Sequence, residues 1–230
     1  MRLGLIPARG GSKRIPRKNI RPFFGVPMIS RSIAAALGSA AITDVIVSTD
    51  DAEIADVARA AGAQIPFMRS AELSDDHATT LAVIADALER MEAQGHQVDA
   101  ICCLYATAPF VQAADLDGAF ERLQSSGAAY VFAGAEFPYP IQRALRRDGD
   151  RVRMFHPEHT ATRSQDLEPA YHDAGQFYWC RPEAIRARLP LLGPDSAMYL
   201  MDRARVQDID TPADWAFAER LFALQSGDAA

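Results

Sequence analysis

Lysine and early acidic residues are scarce in this sequence. Only two lysines, Lys13 and Lys18, stand among its 24 basic residues, and no carboxylate precedes Asp44. The whole chain nevertheless carries a net charge of -6. Nucleic-acid-binding proteins carry broad basic faces, so this balance argues against DNA or RNA as a partner. Positive charge confined to one short region instead predicts a local anionic ligand, and a polyphosphate fits best.

Cysteines and long hydrophobic runs are scarce as well. Cys102 and Cys103 lie inside the apolar run Ala100 to Tyr105, Cys180 ends another such run, and no C-x-x-C pair occurs. This pattern favours core thiols over disulfides or metal ligands. No stretch reaches the length of a membrane span, and the N-terminal apolar run, about four residues, is too short for a signal peptide. We therefore expect a soluble cytoplasmic protein with no membrane partner.

The length of 230 residues and the hydrophobic content of 49% suit one domain with a full core. Short apolar runs alternate with helical patterns, which predicts an α/β fold with a Rossmann-like, doubly wound, mostly parallel sheet. Strands are expected at 3–6, 45–48, 65–68, 100–104, 129–133, 176–180 and 206–209, and helices near 27–37, 51–61, 79–93, 114–124, from 182, and 211–224. Because ligands bind at the carboxyl ends of such strands, the first loop should converge with Ser48 to Asp51 and Thr107 to Pro109.

The segment at about 136–172 interrupts this rhythm. It contains Pro138, Pro140, Gly149 and Pro157 and many charged residues, with little helical or alternating periodicity. Irregular stretches of this length in a compact domain are usually functional. We interpret it as an arm inserted into a single domain spanning 1–230, for oligomer contact or substrate capture. A mobile surface loop is the alternative.

The first loop, residues 8–19, follows the first predicted strand and contains the pair Gly10-Gly11, which lets backbone amides approach a ligand closely. Neither G-x-x-x-x-G-K-[ST] nor G-x-G-x-x-G fits it, so ATPase and dinucleotide-binding functions lose support. Arg9, Lys13 and Lys18 are suited to holding a triphosphate and neutralising a pyrophosphate leaving group. The alternative interpretation is a solvated basic loop.

A second pattern, Gln207-Asp208-Ile209-Asp210-Thr211, ends the last predicted strand. The period of two in a strand places Asp208 and Asp210 on the same face, where two carboxylates can share a hard cation. Mg²⁺ commonly takes one or two carboxylates together with substrate phosphate oxygens, so this pair would complement the cationic loop. Asp210 also fits a simpler role as an acid before the last helix.

Taken together, these residues resemble the sugar-nucleotide cytidylyltransferases that activate nonulosonic acids, the CMP-sialic acid synthetase group. The resemblance covers residues 3 to about 219. It rests on Ile6 to Lys13 with Lys18-Asn19, Val47 to Asp50, Arg69 with Leu73 to Asp76, Thr107 to Pro109, Arg163 to Gln165, and Gln207 to Thr211.

Within that group the chain is most similar to the branch that acts on pseudaminic acid. Members that act on sialic acid typically carry Gln-Pro-Thr-Ser-Pro where this chain has Tyr105 to Pro109, and Asn-Gly where it has His172 to Gly175. Both regions face the sugar in the family. A nonulosonic acid other than sialic acid is therefore expected.

The resemblance implies CTP as co-substrate, Mg²⁺ or Mn²⁺ at Asp208 and Asp210, and a homodimer in which each arm reaches the partner's site. It implies catalytic roles for Arg9, Lys18, Asp208 and Asp210, and nucleotide binding by Ala8, Gly10, Gly11, Ser12, Lys13, Asn19, Arg69, Thr79 or Thr80, Tyr105 and Thr107. Sugar binding is implied for Gln142, Arg163, Gln165, Tyr171, His172, Asp173 and Gln176. Arg163 is expected to pair with the sugar carboxylate, because its guanidinium matches a carboxylate in bidentate fashion.

Two other kinds of function are compatible with parts of this pattern. Activation of legionaminic acid, sialic acid or 3-deoxy-octulosonate would use the same loop chemistry with a different sugar. A non-catalytic regulator that binds nucleotide sugars on the same fold is the second. The presence of Lys18, Asp208 and Asp210 argues against the regulator.

Overall fold

The computed structural model describes residues 1–75 and 77–226. Asp76, which belongs to one of the motifs quoted above, lies outside the described residues. The strands are β1 Arg2–Pro7, β2 Pro22–Phe23, β3 Val26–Pro27, β4 Asp44–Ser48, β5 Ala100–Leu104, β6 Tyr130–Glu136, β7 Leu145–Asp148, β8 Arg151–Met154, β9 Tyr171–Cys180 and β10 Ser196–Leu200. The helices are α1 Met28–Gly38, α2 Ala52–Ala60, α3 Thr80–Ala93, α4 Ala113–Ser126, α5 Pro182–Arg186 and α6 Pro212–Ser226.

The main sheet has the order β10-β6-β9-β5-β1-β4. β1 pairs in parallel with β4 and β5, and β10 pairs in parallel with β6, whereas β9 is antiparallel to both of its neighbours. The predicted α/β class with a mostly parallel sheet is confirmed. Because β9 runs in the opposite direction, its first residues lie at the same edge as the carboxyl ends of β5 and β6. The start of β9, rather than its end, is therefore at the carboxyl edge of the sheet.

Helices cover both faces of the sheet, as a doubly wound fold requires. Alternate strand residues face opposite sides: Leu3 and Leu5 pack against α3 and α5, while Ile6 packs against α1, α2 and α4. A third cluster brings Ile15 of the first loop together with Ile209 and with Trp215 of α6. This cluster fixes the loop beside the segment that carries Asp208 and Asp210. The three cysteines are buried free thiols, as predicted.

Helix starts follow the local sequence signals. Asp51 caps α2 by accepting from the amide of Ile54, and Thr79 caps α3 by accepting from the amide of Ala82. The predicted start of the last helix is also present, since Thr211 and Asp214 bond each other's backbone amides. In the part of the chain that is described, no helix is both long and apolar enough to span a membrane.

Two predicted strands are wrong, and one strand of the main sheet was missed. Residues 65–68 form no strand, because the chain contacts the sheet edge only through a bridge between Gln64 and Ile46 before it turns away. Residues 206–209 also form no strand; they are extended, and Ile209 is buried against α6 without a ladder partner. The sheet is instead completed by β10, whose partly buried residues gave no clear alternation.

The segment between β6 and β9 contains the antiparallel hairpin β7–β8 and three short 3₁₀ turns. Its location follows from the topology, because β6 ends and β9 begins at the carboxyl edge of the sheet. Several of its large apolar side chains are exposed: Phe137, Tyr139, Ile141, Leu145, Val152, Phe155 and Tyr171.

Candidate active site

A cleft of about 410 Å³ opens at the carboxyl edge of the sheet. It is lined by Pro7, Arg9, Ser12, Lys13, Arg14, Ile15, Lys18, Asn19, Arg69, Ala78, Thr80, Val83, Tyr105, Ala106, Thr107 and Asp210. The structure therefore brings together ten of the residues selected from the sequence, which come from five separate parts of the chain: Arg9, Ser12, Lys13, Lys18, Asn19, Arg69, Thr80, Tyr105, Thr107 and Asp210. Ala8, the first residue of the loop, is buried.

The turn of the first loop is held against the end of β4. The amide of Gly10 donates to Asp50 at 2.9 Å, and Asn19 donates to the carbonyl of Arg9 at 2.9 Å. A Cβ atom on Gly10 would lie 2.6 Å from the carboxylate of Asp51, whereas one on Gly11 would meet nothing within 4 Å. Gly10 is thus required by close packing, whereas the space around Gly11 is open. Neither glycine is among the residues that line the cleft.

Arg17 anchors this loop to α2. Its guanidinium is hydrogen-bonded to Asp51 and Glu53. The hydrogen bond from Arg17 lowers the pKa of Asp51 below its ordinary value of 3.8, although burial opposes the shift. From the sequence alone this structural role could not be distinguished from that of a solvated side chain, because the partners lie 34 and 36 positions away.

Two further cations connect the loop to residues 208–210, the acidic segment. Lys18 donates to the carbonyl of Ile209 at 2.6 Å and lies 3.2 Å from Asp210. Arg14 pairs with Asp210 at 2.8 Å. The loop and the acidic segment are separated by about 190 positions in sequence, and their contact places opposite charges at one end of the cleft.

Asp208 and Asp210 flank the buried Ile209. Asp210 lines the cleft, whereas Asp208 is exposed and does not line it. The pKa of Asp208 is raised, first by desolvation and second by repulsion from Asp210. Two carboxylates that repel each other form a donor set that a divalent cation would stabilise. Residues 1–75 and 77–226 contain no group of three or more His, Cys, Asp or Glu side chains suited to a metal. Two carboxylates match part of the ligand set of Mg²⁺, which usually takes phosphate oxygens and water at its other positions.

Arg69 forms part of the opposite wall of the cleft. It is only 7% exposed, and its guanidinium donates to the carbonyls of Ser48 and Leu73. Burial lowers its pKa, against the charge of Asp50, and its Nε is buried without a hydrogen-bond partner in the described part of the chain. A buried guanidinium with unused donor capacity is suited to a polar ligand group.

The structure separates the two adjacent threonines. Thr79 uses its hydroxyl to cap α3, while Thr80 faces the cleft and bonds the hydroxyl of Tyr105 at 3.1 Å. Sequence reasoning left open which threonine lies near the nucleotide. Thr80 is the one that can present its side chain to a ligand.

The residues selected for sugar binding are distributed over the start of β9 and the arm. Tyr171 is 45% exposed, His172 packs edge-on against Phe137, and Asp173 follows on the next position. Gln165 lines a separate cleft of about 390 Å³ within the arm. Gln142 donates to the carbonyl of Glu168 at 3.0 Å, and Arg163 is exposed.

Gln176 occupies a different environment. It is 1% exposed, and its side-chain amide donates to the carbonyl of Ala174. The backbone carbonyl of Gln176 accepts a hydrogen bond of 2.9 Å from the backbone amide of Tyr105. Gln176 thus lies beneath the site and supports Tyr105, while the first cleft is lined by other residues.

Comparison with known proteins identifies relatives over most of the chain. A family model described as cytidylyltransferase matches residues 3–186. A pseudaminic acid cytidylyltransferase of Campylobacter jejuni subsp. jejuni serotype O:2 is 46% identical over 221 residues, which cover 96% of this chain and 95% of that protein. A CMP-N,N'-diacetyllegionaminic acid synthase of Legionella pneumophila subsp. pneumophila is 33% identical, with 96% of each chain covered.

The fold has solved counterparts as well. The structure of a CMP:2-keto-3-deoxy-manno-octonic acid synthetase complexed with CTP superimposes with a TM-score of 0.70 at 17% sequence identity. The match covers 98% of this chain and 100% of that one. At this level of identity the likeness establishes a shared fold.

Proposed function

The chain belongs to the cytidylyltransferase family, and from that premise we propose that it transfers CMP from CTP to the anomeric hydroxyl of pseudaminic acid. The 46% identity to a pseudaminic acid cytidylyltransferase supports this substrate over legionaminic acid, whose synthase is 33% identical. The observation that carries the chemistry is the single cleft in which the cationic loop, Arg69 and Asp210 meet. Such a cleft suits a triphosphate at one end and a base at the other. As CTP is a cytoplasmic metabolite, the reaction would take place in the cytoplasm.

The triphosphate is expected to lie on the first loop. Arg9, Lys13 and Lys18 provide charge there, and the open side of Gly11 allows close approach of the backbone. Ser12 and Asn19 would add hydrogen bonds, together with the backbone at Ala8 and Gly10. Arg69, Thr80, Tyr105 and Thr107 would surround the nucleoside, with Thr79 acting as the helix cap behind them.

Asp208 and Asp210 would hold Mg²⁺, with Mn²⁺ as the alternative. When bound, the metal supplies positive charge to the phosphate oxygens. Before ligands bind, Lys18 and Arg14 balance the charge of Asp210. Both cations would then be positioned to contact the triphosphate.

The reaction forms one bond and breaks one. The anomeric oxygen attacks the α-phosphorus in line, a new O–P bond forms, and the bond from the α-phosphorus to the bridging oxygen of pyrophosphate breaks. Pyrophosphate leaves with the electron pair, and the hydroxyl proton passes to water. Arg9 and Lys18 would stabilise the spreading negative charge, which is the principal contribution of the protein to such a transfer.

The sugar would bind between the start of β9 and the arm. Arg163 would pair with its carboxylate, and its amide and hydroxyl groups would be read by Gln142, Gln165, Tyr171, His172 and Asp173, with Gln176 supporting Tyr105 from below. Arg163 and Gln165 lie away from the first cleft in one chain. We propose that a homodimer supplies them through arm exchange. The exposed apolar residues of the arm support a covered interface.

Release of pyrophosphate tests this proposal. The protein would be incubated with CTP, Mg²⁺ and, in parallel, pseudaminic, legionaminic or N-acetylneuraminic acid. Release with pseudaminic acid alone is the expected result. Release with a different acid would keep the chemistry and refute the substrate, whereas binding of CTP without release for any acid would favour the regulatory role.

A further inference from the structure

A chain of polar side chains runs from the nucleotide cleft to the start of β9. Thr80 and Tyr105 share a hydrogen bond of 3.1 Å, and Tyr178 donates to Asp173 at 2.5 Å. The rings of the two tyrosines lie 5.6 Å apart. Thr80 and Tyr105 line the cleft, whereas Tyr178 lies behind Tyr105 and is 4% exposed.

A bulge in β9 makes this chain possible. Asp173 and Tyr178 are five positions apart, so a regular strand would place them on opposite faces. In the sheet they pair with Gly134 and Phe132, and the extra residues of β9 are accommodated at Gly175, where φ is +60°. The bulge rotates Asp173 onto the face of the two tyrosines.

The carboxylate of Asp173 is held by two donors. A carboxylate can only accept, so Tyr178 donates to one of its oxygens, and the amide of Gly175 donates to the other at 2.8 Å. Burial raises the pKa of Tyr178, so that its proton is retained at neutral pH.

We propose that Tyr178 is a positioning residue for the acceptor sugar. It fixes the orientation of Asp173 through the hydrogen bond of 2.5 Å. This inference rests on the proposed function, in which Asp173 contacts the nonulosonic acid. Tyr178 itself would touch neither substrate.

Replacing Tyr178 by phenylalanine removes one oxygen and with it the hydrogen bond to Asp173. In Tyr178→Phe we expect the KM for pseudaminic acid to rise about tenfold, the effect of losing roughly one hydrogen bond to a charged group. The KM for CTP should change less than about twofold. Tyr130→Phe is the matched control, since its buried hydroxyl bonds the carbonyl of Leu189 at 3.0 Å in another part of the protein. Thermal unfolding of both variants would show that they lose comparable stability.

A double-mutant cycle tests whether Tyr178 acts through Asp173. Adding Tyr178→Phe to Asp173→Ala should leave the KM for the acid unchanged, because the group to be positioned is already gone. An unchanged KM in the single variant, or an equal further rise in the double variant, would overturn the proposal. If Tyr178→Phe does not fold, Tyr178→Met removes the same hydroxyl with an apolar side chain of similar length, and the same selective rise in the KM for the acid is expected. Failure of the proposed function is distinct, since the wild-type protein would then release no pyrophosphate.

Discussion

The ion pair between Arg205 and Asp115 offers a quantitative test of how the acidic segment is held. Two hydrogen bonds of 2.5 and 2.7 Å join the guanidinium to the carboxylate, and Asp115 is 3% exposed. Asp115 also accepts from the amide of Gln112 at the start of α4. Arg205 lies three positions before Asp208, so this pair ties the segment that carries the candidate metal ligands to a helix.

In Arg205→Met the carboxylate of Asp115 stays buried without its counter-charge. Breaking a buried pair from one side costs about 3–5 kcal/mol, and the partial exposure of Arg205, 22%, places the expected loss near about 3 kcal/mol. For a chain of this length that lowers Tm by about 6–12 °C. Differential scanning calorimetry would measure it.

Arg153→Met is the matched control. Its pair with Asp148 is exposed on both sides, at 74% and 53%, so its loss should cost less than about 1 kcal/mol. The cycle with Asp115→Asn would give the coupling energy of the buried pair. If Arg205→Met lowers Tm no more than Arg153→Met does, the reasoning from burial is refuted.

Three further predictions concern the loop and the acidic segment. Asp208→Ala should abolish pyrophosphate release, because one of two metal-binding carboxylates is lost, while circular dichroism shows an intact fold; an active variant would refute the metal assignment. Lys18→Ala should lower kcat even at saturating CTP, because its charge would act on the leaving group, and a change in KM alone would contradict this. Arg17 lowers the pKa of Asp51, so Asp51 stabilises the folded state at any pH above its ordinary pKa of 3.8. This stabilisation is lost as the pH falls through the lower pKa of the folded state. In Asp51→Asn, Tm should therefore be lower at neutral pH and depend less on pH in the acid range. Parallel pH profiles of Tm for the variant and the wild type would contradict this prediction.

Much of the fold was predictable because its signals are local. The buried runs of β1 and β5 and the capped starts of α2, α3 and α6 depend on periodicity and on hydrogen bonds within a few residues. The first loop was likewise identified by its own charges and glycines. Errors occurred at residues 65–68, 206–209 and 196–200, where strand formation depends on the presence of a distant partner.

The sequence by itself determined the α/β class, the cationic loop and the family, since all of these are written in contiguous residues. Only the tertiary structure decided that Lys18 meets Asp210, that Arg17 anchors the loop to Asp51, and that Thr80 rather than Thr79 faces the cleft. It alone placed Asp173 beside Tyr178, because a bulge at Gly175 reverses the alternation that the sequence would predict. The physical reason is that such contacts join positions far apart in the chain, and their geometry is set by how the strands pair and the helices pack.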